Sequence, residues 1–326
     1  VVITTYNRQA TVRKILERFD QQTLPADQFE VIVADDESPD TTAEMVEEMT
    51  GRVGYRLRYL RHKNQGPGAT QNMGIRAAEY EIVLLMADDI IPEPELLAEH
   101  MITHREYPGA EYAVLGKAIQ SPELPHTALH KVWDPFQYQR FEGRHELEGF
   151  YFFGCNISVK KSFLLANGMY HERRGIAHED IELGYRLWKK GLKIIYNPKA
   201  FAWHEHDEAL ERICTRAYER GQNFDLLADN LPPEFVFPLY KIMSPSAGLG
   251  ACLKMLPREC GRFALFNGPM VKLFWLPVLR RADSNPLAAK FATGTAYRGV
   301  SGYYLRKGYR DKQRERSRLT QKPCIT

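Results

Sequence analysis

The sequence predicts an α/β protein with a mostly parallel sheet flanked by helices. Three observations carry this. Short apolar runs rich in β-formers recur at residues 1–4, 29–34 and 81–86. Helical periodicity fills the intervals, and each run stops in a polar loop.

The first run, VVIT, breaks at Tyr6-Asn7-Arg8, after which Val12, Ile15, Leu16 and Phe19 recur at helical spacing. Residues 29–34 (FEVIVA) carry one charge in an otherwise apolar run, as expected of a strand covered on both faces. That run ends in Asp35-Asp36-Glu37-Ser38-Pro39-Asp40, and a helix through Met45 and Met49 follows. Residues 55–60 form a weaker strand, and the loop 64–68 feeds a helix over 69–79. Residues 81–86 (EIVLLM) form another buried strand, halted by Ala87-Asp88-Asp89. Further on, Ile181, Leu183, Tyr185, Leu187 and Trp188 give an amphipathic helix that ends at Gly191. Residues 193–196 are an apolar strand before Asn197-Pro198, and residues 211–227 read as an amphipathic helix. This β-α order favours a parallel sheet, in which ligands lie at the carboxyl ends of the strands. The polar clusters Thr4–Asn7, Asp35–Asp36 and Asp88–Asp89 all fall there.

With 326 residues the chain suits one large α/β domain with an appendage. Its net charge of +3 gives no global case for nucleic acid, and none is expected as a partner. Cys155, Cys214, Cys252, Cys260 and Cys324 are scattered without a CxxC pair. That spacing fits neither a zinc cluster nor a disulfide framework and suits a reducing compartment. The first residues already read as a strand, with no signal peptide ahead of them. The late apolar stretch 263–279 is interrupted by Asn267, Gly268, Pro269, Lys272 and Pro277, too often for a membrane span.

Paired acids after an apolar strand can hold a hard divalent ion against phosphate oxygens, although one such loop alone is as often a turn or a helix cap. Asn64-Gln65-Gly66-Pro67-Gly68 is neither a P-loop nor a dinucleotide fingerprint. In order, VVITTYNR, VIVADDESPDTT, NQGPGATQNMGIRAA, IVLLMADDIIPEP, GCNISVKKS and HEDIELGYRLWKKG resemble the family 2 glycosyltransferases. The resemblance covers about two-thirds of the chain, ending near His204 and His206. It implies the Rossmann-like GT-A fold over residues 1–230, with a nucleotide-binding half at 1–100 and an acceptor-binding half at 101–230. Residues 231–326 are expected to be a helical, basic C-terminal extension.

The roles the resemblance implies can be placed residue by residue. Thr4 and Tyr6 would line the base pocket, Asp36 would accept the imide N–H of uracil, and Asp88 would contact ribose or sugar. Asn7, Gly68 and Asn72 complete the expected nucleotide-sugar contacts. Asp89 and His204 would ligate Mn2+ or Mg2+, with His206 a weaker candidate. Where the family often has Asp-x-Asp, this chain has Ala87 in the first position. Asp180 would be the general base and Glu179 its alternative or neighbour, although acids in a first helical turn often serve only the helix dipole. Gly154, Asn156 and Trp133 are expected on the acceptor side, with Cys155 a buried hydrophobe; Trp133 and Tyr138 read slightly better as core.

The resulting expectation is metal-assisted, inverting transfer from a nucleoside-diphosphate sugar, UDP-sugar favoured, to a glycan or lipid-linked acceptor. Such a reaction serves polysaccharide or cell-envelope assembly. Two alternatives are a nucleotidyltransferase, which lacks its glycine-rich loop here, and a catalytically degenerate binding module, which Ala87 makes conceivable. The absence of Gln-x-x-Arg-Trp argues against a processive synthase. The expected location is cytoplasmic; the basic C-terminal end reads slightly better as a solvated tail than as a surface for peripheral contact with anionic lipid, while residues 263–281 hold an interfacial reading open.

Overall fold

The computed structural model describes residues 1–134, 136–172, 178–224, 231–232 and 264–320. The chain forms two compact units. The first comprises the described residues of Val1–Leu124, Pro135–Arg174 and His178–His206; the second takes Pro125–Asp134 and those of Asp207–Thr326. This division after His206 precedes the boundary at 230 expected from sequence.

The first unit opens with β1 (Val2–Thr5), α1 (Gln9–Phe19), β2 (Glu30–Asp35), α2 (Thr42–Thr50), β3 (Arg56–Arg61), α3 (Pro67–Ala77) and β4 (Ile82–Ala87). These follow the expected order closely. Val12, Ile15, Leu16 and Phe19 form the buried stripe of α1, and every residue of β2 is buried. The unit continues through β5 (Ile90–Pro92), α4 (Leu96–Glu106), β6 (Tyr112–Gln120), β7 (Glu146–Leu147), β8 (Asn156–Lys160), α5 (Lys161–Asn167), α6 (Glu179–Trp188) and β9 (Lys193–His204). The sheet order is β3-β2-β1-β4-β8-β6-β9-β5, with β7 on β9. Strands β1 to β4 pair in parallel, β8 runs antiparallel between β4 and β6, and β9 is parallel to β6.

Strand β9 is longer than its sequence suggests. The expected four-residue strand stops at Asn197-Pro198, yet the ladder resumes and ends at His204. A register shift opposite Gly116 and Lys117 takes up residues 198–200, so Pro198 sits where no ladder N–H is needed. The three-residue strand β5 then pairs Ile90 with His204 and fixes the end of β9 beside Asp89.

A buried polar chain crosses from α4 to β8. The Lys160 ammonium donates to His104 Nδ1 (3.0 Å), which leaves His104 Nε2–H facing Ser158 Oγ at 2.8 Å. Ser158 in turn faces His100 Nδ1 at 2.8 Å, and His100 Nε2 faces Asn156 Oδ1 at 3.0 Å. Asn156 Nδ2 donates to the Ala200 carbonyl (3.1 Å), closing the chain on β9. Both histidines are neutral in this arrangement. Burial pushes His100 down to about 4, and burial with the nearby Lys160 charge pushes His104 down to about 3.

The described part of the second unit contains α7 (Leu210–Gln222), α8 (Leu276–Arg280), α9 (Pro286–Phe291) and α10 (Gly294–Thr320). The end of the expected helix at 222–227 lies largely outside the described residues, as do Phe263, Cys252, Cys260 and Cys324. Gly221 and Gly308 let α7 and α10 approach so closely that a Cβ at either position would strike the partner backbone. A separate core forms here around Leu210, Ile213, Val271, Leu276 and Val300.

The buried histidines set an acid limit on stability. Their folded pKa values lie below the ordinary 6.5, so their contribution is complete above pH 6.5 and is lost as pH falls toward 4. Urea melts should show stability falling across that interval. The double variant His100→Gln/His104→Gln should have a flatter profile there, and an unchanged slope would remove the histidines from the account.

Candidate active site

Four strand ends converge on one edge of the first unit's sheet: the carboxyl ends of β1, β4 and β9, and the amino end of β8. Register makes this explicit, since Thr4 pairs with Ala87, Met86 with Asn156, and Ile90 with His204. Asp88 and Asp89 follow β4 immediately, and both are mostly buried. Thr5 Oγ1 donates to Asp88 Oδ2 at 2.8 Å. His206 Nδ1 lies 2.8 Å and His204 Nε2 3.7 Å from the Asp89 carboxylate.

Arg8, at the entry to α1, offers cationic compensation to both acids, 3.8 Å from Asp88 and 3.6 Å from Asp89. It also reaches His206 Nδ1 at 3.1 Å. Burial, then the neighbouring Asp89 charge, pushes Asp88 up to about 6, with Arg8 and Thr5 opposing. Burial would raise Asp89 too, but the two imidazoles, His206 in hydrogen-bond contact and His204 a little farther off, hold it well below the usual carboxylate range.

The metal-ligating atoms of Asp89, His204 and His206 lie within 4.8 Å of one another. One carboxylate and two stacked imidazoles make a donor set that fits a borderline divalent cation. Ala87 supplies no carboxylate; it is the last residue of β4 and packs partly against the core. His206, the weaker candidate by sequence, makes the shorter contact to Asp89.

Asp180 lies in the first turn of α6. Its Oδ1 accepts from Tyr170 Oη at 2.9 Å, and its Oδ2 accepts from the Gly154 backbone N–H at 3.1 Å. A Cβ at position 154 would collide with Asp180 Oδ1 and crowd Tyr170, so the carboxylate occupies space that only glycine leaves free. Gly154, expected on the acceptor side, lies against Asp180, and Glu179 begins the same helix half-buried. The Cys155 thiol, pushed up by burial and by the charges of Asp180 and Asp89, is protonated and inert.

The nucleotide-side residues divide. Tyr6 is exposed, and Asn7 adopts a left-handed φ of 57° while its N–H donates to Ser38 Oγ (2.9 Å). Thr4 Oγ1 accepts weakly from Gln71 Nε2 at 3.4 Å. Asp36 accepts from the backbone N–H groups of Gln65 (2.8 Å) and Gly66 (3.0 Å), thereby fixing the 64–66 loop. Its two oxygens retain lone pairs for a further donor.

Three residues expected at the site make their contacts within the protein. Asn72 commits both amide protons, to Tyr170 O (2.8 Å) and Glu172 Oε1 (3.0 Å), and its Oδ1 accepts from Tyr170 N (3.0 Å). It clamps Tyr170 and leaves no donor for a nucleotide. Gly68 is buried against the His171 backbone and serves that same packing. Asn156 is fully buried, its side chain held between His100 and Ala200, so it presents nothing to an acceptor.

Trp133 belongs to the second unit and packs partly buried against its core, while Tyr138 is buried among Phe136, Phe141, Phe153 and Tyr196. Sequence reasoning missed Tyr170, which has no periodic link to Asp180. It also missed Gln71, whose buried Oε1 has no hydrogen-bond partner among the described residues.

A parallel half-sheet followed by an antiparallel strand, with acidic and imidazole groups along one edge, defines a GT-A protein. Residues 1–164 match the model described as glycosyl transferase family 2, and the chain belongs to that family. It is 27% identical over 220 residues to validoxylamine A glucosyltransferase of Streptomyces hygroscopicus subsp. limoneus, covering 59% of this chain and 48% of that one. It is 29% identical over 266 residues to chondroitin synthase of Escherichia coli, covering 71% and 38%. The chain therefore spans about half or less of the length of these curated relatives. Its fold is similar to that of mannosyltransferase PcManGT from Pyrobaculum calidifontis, solved with GDP-Man and Mn2+, with TM-score 0.62, 20% identity, and coverage of 96% and 86%.

The clamp geometry makes a checkable claim. Asn72→Ala should lower stability by about 1–3 kcal/mol, since it strips buried hydrogen bonds from Tyr170. Amide exchange at Tyr170 and Gly154 should quicken together. Exchange at Tyr170 alone, with Gly154 unmoved, would show that Asn72 and Asp180 are uncoupled.

Proposed function

We propose that this chain transfers a sugar from a nucleoside-diphosphate donor to a hydroxyl of a glycan or lipid-linked acceptor. One observation carries the reading: Asp180 is held by Tyr170 and Gly154 at the same sheet edge as Asp89, His204 and His206. A base and a cation-binding set therefore share a single edge, as a displacement at an anomeric carbon requires.

Asp89, His204 and His206 would hold Mn2+ or Mg2+, which when bound neutralises the diphosphate and eases its departure. Asp180 accepts the proton of the acceptor hydroxyl. The hydroxyl oxygen bonds to the anomeric carbon as the bond from that carbon to the phosphate oxygen breaks, giving inversion in one step. The phenol of Tyr170 and the Gly154 N–H stabilise Asp180 as an anion and aim it. Glu179 stands beside the base, and Asp88 takes a sugar or ribose hydroxyl.

Thr4, Tyr6 and Asn7 would face the nucleobase at the end of β1, and Gln71 joins this set through its buried carbonyl. Asp36 would accept the imide N–H of uracil, a group that thymine also offers. The solved relative carrying GDP-Man and Mn2+ agrees with a nucleoside-diphosphate donor and a divalent cation. The free cysteines Cys155 and Cys214 agree with a cytoplasmic place of action.

Asp180→Asn separates binding from chemistry. Transfer should fall by roughly 10²–10⁴, while calorimetric affinity for UDP, GDP and dTDP with Mn2+ keeps the wild-type order and strength. Wild-type turnover by this variant would remove Asp180 as the base. Preference for GDP would overturn the role given to Asp36.

A further inference from the structure

The second unit contains short helices that are apolar on more than one side. Val271, Leu276, Leu279 and Ala292 face its core. The same segments also expose Leu273 (81%), Leu287 (66%), Phe291 (45%) and Phe274 (37%). Phe274, Leu287 and Phe291 lie together, with Leu273 next to Phe274 in the chain. Leu287 and Phe291 are one helical turn apart on α9, and the Phe274 and Phe291 rings meet edge-on with centroids 6.1 Å apart. Leu265 is also 52% exposed, and its carbonyl accepts from the half-buried Trp275 indole at 2.8 Å. Scattered exposed leucines are ordinary, whereas a contiguous apolar face marks a contact surface.

Charge indicates what covers it. Residues 264–320 hold twelve lysines and arginines against three acidic residues, a net +9, while the whole chain is only +3. The remainder is therefore at −6, and the basic excess is concentrated in the unit that exposes the apolar face. Lys272 adjoins Leu273, Lys290 adjoins Phe291, and both are exposed. Among the described residues no helix is long and apolar enough to cross a membrane. Apolar side chains flanked by cations suit shallow insertion below an anionic headgroup layer, with an aromatic indole at the boundary.

We propose that the second unit docks on an anionic phospholipid surface through Leu265, Leu273, Phe274, Leu287 and Phe291, with Lys272 and Lys290 among the headgroups. Docking is independent of the residues assigned to sugar transfer, so it stands or fails separately from the proposed reaction.

Vesicle co-sedimentation tests it with the full chain. Binding is expected to vesicles of phosphatidylcholine and phosphatidylglycerol in equal parts, to weaken with salt, and to be much poorer on phosphatidylcholine alone. Leu273→Glu/Leu287→Glu should weaken binding by roughly tenfold or more, and Lys272→Glu/Lys290→Glu should flatten the salt dependence. Both positions of the leucine pair are exposed, so the melting temperature should not move. Absence of binding, equal binding to neutral vesicles, or binding indifferent to the leucine substitutions overturns the proposal. Self-association in light scattering that the same substitutions abolish, without vesicle binding, would assign the face to a second copy instead.

Discussion

Two adjacent carboxylates, Asp88 and Asp89, are mostly buried at the end of one strand, and the surrounding fold is arranged to make that tolerable. Removing two like charges from water is expensive unless each finds a partner. Arg8 reaches both from the β1–α1 junction, Thr5 donates to the first, and two histidines from the end of β9 bracket the second. The two acids then titrate apart, Asp88 upward and Asp89 downward. Strand β9 must arrive in the correct register for this to work. The bulge over residues 198–200 and the short strand β5 secure that register.

The second carboxylate of interest is built differently. Asp180 lies at a helix start, where the dipole favours an anion, and takes one phenol and one backbone donor. Its supports come from far along the chain. Asn72 on α3 clamps Tyr170 by its backbone, Tyr170 reaches Asp180, and Gly154 provides both the N–H and the absence of a side chain. The Asp180 carboxylate is thus positioned by three segments that have no reason to meet except through the sheet.

What the sequence made legible follows from range. Apolar runs such as VVIT, FEVIVA and EIVLLM are local signals, and each became a strand within a residue or two of its expected bounds. The acidic loops were legible because a buried strand must stop somewhere and ligands gather where parallel strands stop. Strand β5 was not, because three residues carry no period. Asn72, Gly68 and Asn156 lie in motifs at the site, but a motif fixes position in the chain and not the direction of a side chain. Asn72 and Asn156 turned inward to partners 98 and 44 residues away, and the Gly68 backbone packs against that of His171. Tyr170 was illegible for the converse reason, since nothing local to it announces a contact with Asp180.

The proposed transfer depends on Asp89, His204 and His206 holding a cation that serves a diphosphate. Crystals soaked with Mn2+ and UDP, measured at the manganese edge, address it directly. One anomalous peak is expected, bonded to Asp89 and at least one of the two imidazoles, with the diphosphate completing the shell. A peak elsewhere, or UDP bound in full occupancy with no manganese among these three residues, would contradict it.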